Sequence, residues 1–194
     1  MRIIVGTLRH RPLTSPPSKT TRPITDRVKQ SVFDALAIAI GFDGVRVLDV
    51  FAGTGSIGLE CLSRGAKEVV FMEQDRSALI ALRNNIDALG VKASSKVVAA
   101  DVFTRRDIWG GKMGRFDLIF FDPPYPMFDD AKAATVLDAT IGIAVASALA
   151  ENGVLLLRTR AGLDMQTLEI AKLIRRRQDY GSMSMNWLTR SPAT

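Results

Sequence analysis

An α/β fold on a mostly parallel sheet covered on both faces is what this sequence predicts, and three observations predict it. Short apolar, β-branched runs alternate with amphipathic segments through most of the chain. The first strong run, Val45–Val50, passes directly into Gly53, Gly55 and Gly58, the pattern of a buried strand turning sharply into a helix. An acid lies at the end of each of the first four apolar runs, namely Asp49, Glu73, Asp101 and Asp122. Open α/β sheets bind ligands at that carboxyl edge.

The chain of 194 residues can bury one sizeable core, and its 47% apolar and 24% charged content is that of an ordinary soluble domain. Cys61 is the single cysteine, which excludes an intramolecular disulfide and suits a reducing, cytoplasmic setting. The sequence shows no stretch long and apolar enough to span a bilayer and no secretory core near Met1, so no membrane partner is expected. One histidine and one cysteine argue against a zinc site, and no metal is expected. Nothing in the sequence requires a second subunit, and a monomer is expected. The net charge of +6 is concentrated at the N-terminus, where Arg2, Arg9, Arg11, Lys19, Arg22, Arg27 and Lys29 face only Asp26. A polyanion such as nucleic acid is the natural partner of that cluster and of Arg175-Arg176-Arg177.

In order, residues 2–8 predict a short strand or hairpin, and the Pro/Ser/Thr-rich stretch 14–21 a flexible loop. Residues 1–24 thus read as a basic arm, and 25–194 as the main domain. A helix starts at Thr25 or Asp26 and ends at Gly41, with Val28, Val32, Phe33 and Leu36 at helical spacing. After the Val45–Val50 strand come a helix over 56–64, a strand Glu68–Met72 reaching Glu73, and a helix Arg76–Leu89 stopped by Gly90. Then follow a strand Lys96–Ala99, a short helix near Phe103–Trp109, a Gly110-Gly111 turn and a strand Phe116–Phe121. An Ala-rich helix Ala131–Ala150, a strand Gly153–Arg158 and a helix around Leu163–Ala171 come next. Two antiparallel strands near Ile174–Tyr180 and Met183–Thr189 close the chain around a Gly181-Ser182 turn.

The Gly53-x-Gly55-x-x-Gly58 spacing formally matches a dinucleotide fingerprint, with Glu73 downstream for ribose hydroxyls. Asp49 points elsewhere, because a carboxylate beside the turn would repel a pyrophosphate. The sulfonium and ammonium of S-adenosylmethionine would tolerate it. Asp49, Phe51, Ala52, Gly53, Thr54, Gly55 and Ser56 are therefore candidates to hold that cofactor. Glu73 would take its ribose, and Asp101 with Val102 its adenine.

Asp122-Pro123-Pro124-Tyr125 follows the fourth strand. The prolines stiffen the loop and leave the Pro123 carbonyl as an acceptor. A carboxylate, a fixed carbonyl and an aromatic ring suit methylation of an exocyclic base amine. Its nitrogen lone pair is delocalised and must be turned toward the methyl donor by two acceptors, while Tyr125 stacks on the base.

With these motifs the chain resembles the Rossmann-like amino-methyltransferases that use S-adenosylmethionine. More narrowly, it is similar to the RsmD family of bacterial 16S ribosomal RNA guanine-N2 methyltransferases. The narrower likeness rests on Met1–Gly6, Arg22–Val28 and Phe51–Glu60, with Tyr180-Gly181 near the end. It implies a seven-stranded, mostly parallel sheet with an antiparallel closing strand and an N-terminal hairpin that helps bind RNA. It also implies that Arg22, Asp26 and Arg27 lie near the active-site mouth. Arg9, His10 and Arg11 join Arg22 and Arg27 as candidate RNA contacts. His10 departs from the family, which usually has Gly there. The expected partner is 16S rRNA, in an assembling or assembled small subunit. Two alternatives stand: an amino-methyltransferase of adenine N6 or cytosine N4 in DNA, and a non-catalytic RNA-binding ribosome-assembly factor.

Overall fold

The computed structural model describes residues 1–15, 24–109 and 113–190. Its seven strands form one mixed sheet in the order β3-β2-β1-β4-β5-β7-β6. Two compact units divide the chain, Met1–Asp101 and Val102–Thr194.

The first unit holds α1 (Asp26–Ala39), β1 (Arg46–Val50), α2 (Ser56–Ser63), β2 (Glu68–Glu73), α3 (Arg76–Leu89) and β3 (Ser95–Ala99). β1 pairs in parallel with β2, and β2 with β3. Parallel neighbours need crossover connections, and α2 and α3 supply them. Val47, Leu48 and Val50 of β1 pack with Val69–Met72 of β2, all essentially without exposed surface. Thr25 caps α1 by accepting from the Val28 N–H, as its position before the apolar spacing predicts. α3 runs over Arg76–Leu89 and stops at Gly90, whose φ of 71° suits a residue without Cβ.

The N-terminal segment pairs as a hairpin, joined by an antiparallel bridge between Arg2 and Pro12. It is docked on the first unit: Ile4 and Val5 donate their N–H groups to Glu60 of α2, and Thr7 N–H bonds Ser63 O at 2.8 Å. His10 sits at φ 69°, a left-handed conformation that glycine adopts freely. The loop predicted at 14–21 falls mostly outside the described residues, as do the Gly110-Gly111 turn and Arg22.

The second unit holds α4 (Arg106–Trp109), β4 (Phe116–Phe121), α5 (Ala131–Ile143), β5 (Leu149–Arg160), β6 (Ile174–Tyr180) and β7 (Met183–Leu188). β4 and β5 are parallel, whereas β7 runs antiparallel to both β5 and β6. The closing hairpin is thus as the Gly181-Ser182 turn predicts.

Three expectations need correction. The Ala-rich helix ends at Ile143, passes through a single π turn (Ala144–Ala148), and gives way to β5 at Leu149. Pairing of Leu149 with Phe116 outweighs the alanines' helix preference there. The helix expected over 163–171 is a turn followed by one 3-10 segment, Glu169–Leu173. Asp138 of α5 takes the Glu169 and Ile170 N–H groups, a tertiary contact that replaces helical bonding. Finally, one stretch does pass as a bilayer span by composition, Ala131–Ala148 with mean hydropathy 1.3. Here it is the crossover between the paired parallel strands β4 and β5, burying Leu137, Ile141 and Ala144.

Candidate functional site

In the first unit the turn after β1 is held by two carboxylates. Asp49 is 2% exposed, and its Oδ2 accepts from the Gly58 N–H at 2.9 Å. Gly55, the residue before α2, carries no capping side chain, so Asp49 satisfies one of the orphan donors of that helix start. Glu73, at the tip of β2, accepts from Gly53 N through Oε2 at 2.7 Å and from Gln74 N and Asp75 N through Oε1. Three of its roughly four lone-pair positions are therefore taken, which leaves capacity for one hydroxyl.

Backbone conformation explains the glycines. Gly55 has φ 80°, and a Cβ there would lie 2.4 Å from the Leu82 side chain. At Gly58 it would lie 2.3 Å from the Phe71 ring, so the helix can approach β2 only without one. Phe51 has φ 60°, a costly conformation for a bulky residue and of the kind that clusters at functional turns. A Cβ at Gly53 would meet nothing within 4 Å, so open space lies beside the turn. Open space, a strained loop and a carboxylate with a spare acceptor fit a cofactor carrying a ribose. Asp101 follows β3, half-buried; Val102, in the second unit, is buried and takes the Trp109 Nε1–H on its carbonyl at 3.4 Å.

In the second unit β4 ends at Phe121, stacked on Trp109 with ring centroids 6.0 Å apart, and the tetrapeptide follows. Pro123 is buried, Pro124 exposed and Tyr125 half-buried. The Pro124 carbonyl accepts from Met127 N at 3.0 Å, which fixes the turn and commits that acceptor. Asp122 is half-buried, with Oδ1 shut off from solvent. Burial pushes its carboxyl up to about 6, and Arg158 pulls in the other direction. Arg158 Nε lies 2.7 Å from Asp122 Oδ1, yet neither atom makes a hydrogen bond, so the contact is an ion pair whose N–H is not aimed at the oxygen. The Arg158 guanidinium also sits 5.6 Å from the Tyr125 ring centroid.

Of the candidate RNA contacts, Arg9, His10 and Arg27 are exposed, while Arg11 Nη2 reaches the Ala88 carbonyl near the C-terminus of α3 at 2.6 Å. The sequence reading missed Arg158 and Glu60. Arg158 lies outside every motif and Glu60 closes the Phe51–Glu60 stretch without a role of its own there, so only the burial of a charge on an apolar element could have flagged them.

A parallel sheet closed by an antiparallel hairpin, with a glycine turn after β1 and Asp-Pro-Pro-Tyr after β4, defines the class as the Rossmann-like methyltransferase fold. The chain belongs to the RsmD family: the family described as Conserved hypothetical protein 95 matches residues 1–188. Its sequence is 39% identical over 129 residues to the Ribosomal RNA small subunit methyltransferase D of Haemophilus influenzae, covering 64% of each chain. It is 36% identical over 125 residues to the protein of that name from Escherichia coli K12, covering 64% of this chain and 60% of that one. The chain thus spans somewhat under two thirds of these relatives' lengths. A solved hypothetical protein of Thermus thermophilus is 28% identical with TM-score 0.78, covering 98% of this chain and 99% of that chain. A 16S rRNA N2 G1207 methyltransferase of the same species, solved with AdoMet and guanosine, shares the fold (TM-score 0.63, 23% identity, 88% of this chain and 45% of that one).

Proposed function

We propose that this protein methylates the exocyclic N2 of a guanine in small-subunit 16S rRNA, using S-adenosylmethionine. The observation that carries the reading is the Asp122 carboxylate, whose buried Oδ1 holds charge without a hydrogen bond at the head of Asp-Pro-Pro-Tyr. Family membership and relatives named for small-subunit rRNA methylation support the substrate class.

The cofactor supplies an electrophilic methyl group when bound. Asp49, the backbone of Phe51–Ser56, Glu73, Asp101 and Val102 would hold it. Asp122 and the Pro123 carbonyl accept the two amine hydrogens and turn the nitrogen lone pair out of conjugation. Tyr125 offers a ring face to the base. The residues thus position the amine and stabilise the positive charge that develops on nitrogen. Exposed Arg9, His10 and Arg27 form the surface that meets RNA, and the hairpin carries most of it. A monomer working in the cytoplasm suffices for this chemistry.

The test uses labelled S-adenosylmethionine with small subunits from cells lacking the modification, followed by nucleoside analysis. Label in N2-methylguanosine is expected; label in adenine or only in added DNA would overturn the substrate. Asp122→Ala should lower turnover by roughly 10²–10³-fold, the effect of removing one aligned electrostatic partner, with cofactor affinity unchanged. Full activity of that variant would remove Asp122 from the mechanism.

A further inference from the structure

Among the described residues, Arg158 is the one charged side chain at the tetrapeptide that no motif accounts for. It leaves β5 where that strand pairs with β4: Leu157 lies opposite Phe121, and the next residue on each strand is Arg158 and Asp122. Its side chain is only 12% exposed, and that of Asp122 25%, none of it on Oδ1. One cation therefore stands beside both the first and last side chains of Asp-Pro-Pro-Tyr, paired with Asp122 and placed over the Tyr125 ring.

We propose that Arg158 is a positioning residue for methyl transfer, holding Asp122 as an ionised acceptor and setting the orientation of the Tyr125 ring. This rests on the reading of Asp122 given above. The contact occupies at most one of the carboxylate's roughly four acceptor positions, so the cation stabilises the charge and leaves the others for the amine hydrogens. A protonated Asp122 would keep less acceptor capacity and lose the negative charge that stabilises the cation developing on nitrogen.

Burial favours the protonated form of Asp122, and Arg158 is the charge that opposes it. The charged group acting on Asp122 is Arg158 from β5, which also lies over the Tyr125 ring; Arg160, next along that face of β5, is occupied by its own ion pair with Asp129 at 2.6 Å. Arg158 is therefore the residue whose removal should change the ionisation of Asp122.

The experiment compares the full chain with Arg158→Met and Arg158→Lys, using labelled S-adenosylmethionine and unmodified small subunits across pH 5 to 9 (roughly the range the carboxyl spans). Arg158→Met should move the acid limb of kcat upward by about one unit or more, since an adjacent opposite charge shifts a carboxyl by about that much. Its KM for S-adenosylmethionine should stay within about twofold, because the lost contact acts on the amine and not on the cofactor. Arg158→Lys should restore the limb but not the full kcat, because an ammonium has charge without the planar face. A uniform drop in kcat with an unmoved limb in Arg158→Met, or wild-type kcat and limb together, overturns the proposal. If Arg158→Met does not fold, Arg158→Lys decides: a lowered kcat with an unmoved limb supports it, and wild-type values overturn it. An active Asp122→Ala would sink the site reading itself, whereas an inactive one beside a wild-type-like Arg158→Met sinks only the role of Arg158.

Discussion

Glu60, fully buried, and Asp122, half-buried with Oδ1 shut off from solvent, are both carboxylates beside a cation, and they are built in opposite ways. Glu60 has no exposed surface and is saturated: it accepts from the N–H groups of Ile4 and Val5, from Lys29 Nζ at 3.0 Å and from Arg64 Nε at 3.1 Å. Asp122 has one cation and no hydrogen bond at Oδ1. A saturated buried charge serves architecture, here tying the N-terminal hairpin, α1 and α2 together. An unsaturated one is costly to the fold and is tolerated where it has work to do with a ligand. Lys29 shows the same cost: burial lowers its affinity for a proton, and Glu60 is what keeps it charged.

The sharpest way to break this contrast is Glu60→Ala. It should destabilise the protein by about 3–5 kcal/mol, because Lys29 and two backbone donors lose their partner in a buried site. Chemical denaturation would measure this, and a loss below about 1 kcal/mol would show that Glu60 is dispensable. Turnover per folded molecule should change little, the reverse of Asp122→Ala.

pH separates the two groups next. With the Asp122 carboxyl raised to about 6, kcat should rise with pH to a plateau above that value and fall about tenfold per unit below it. Stability linkage runs the other way. The folded-state value exceeds the ordinary 3.8, so Asp122 contributes stability that is fully present below 3.8 and lost as pH rises through about 6. Its active form is thus its less stable form. A pH–rate profile flat from 5 to 8 would contradict this (about three decades of proton concentration).

Smaller effects sharpen the comparison within the hairpin and turn. Gly58→Ala should cost about 1–3 kcal/mol, since its Cβ would overlap the Phe71 ring and Val69, and cofactor binding should weaken with it. Calorimetry with and without S-adenosylmethionine would read both. His10→Gly should raise stability by no more than about 1 kcal/mol: it relieves the φ of 69° but adds freedom to the unfolded chain. A clear loss on that substitution would mean that the imidazole makes a contact worth more than the strain.

Much of this was legible in the chain because it is local. The strand–helix alternation, the limits of α3, β4 and β6, and the glycine turn all follow from periodicity, capping and backbone sterics that neighbouring residues dictate. Candidate roles for Asp49 and Glu73 followed from their places beside the glycine turn, and that for Asp122 from the tetrapeptide it heads. What the two first-unit acids bond, Gly58 N and Gly53 N, was not legible, because one partner lies across the turn in α2 and the other in the turn that follows a neighbouring strand.

By itself, then, the sequence determined the class of fold, the turn after β1 and the tetrapeptide after β4, since each depends on residues adjacent in the chain. The tertiary structure alone decided that Leu149 joins a strand, that the segment after Gly162 is held by Asp138 rather than coiled into a helix, and that Arg158 stands against Asp122. Those outcomes depend on strand register and on buried charge finding its partner, and neither is encoded in any short stretch of residues.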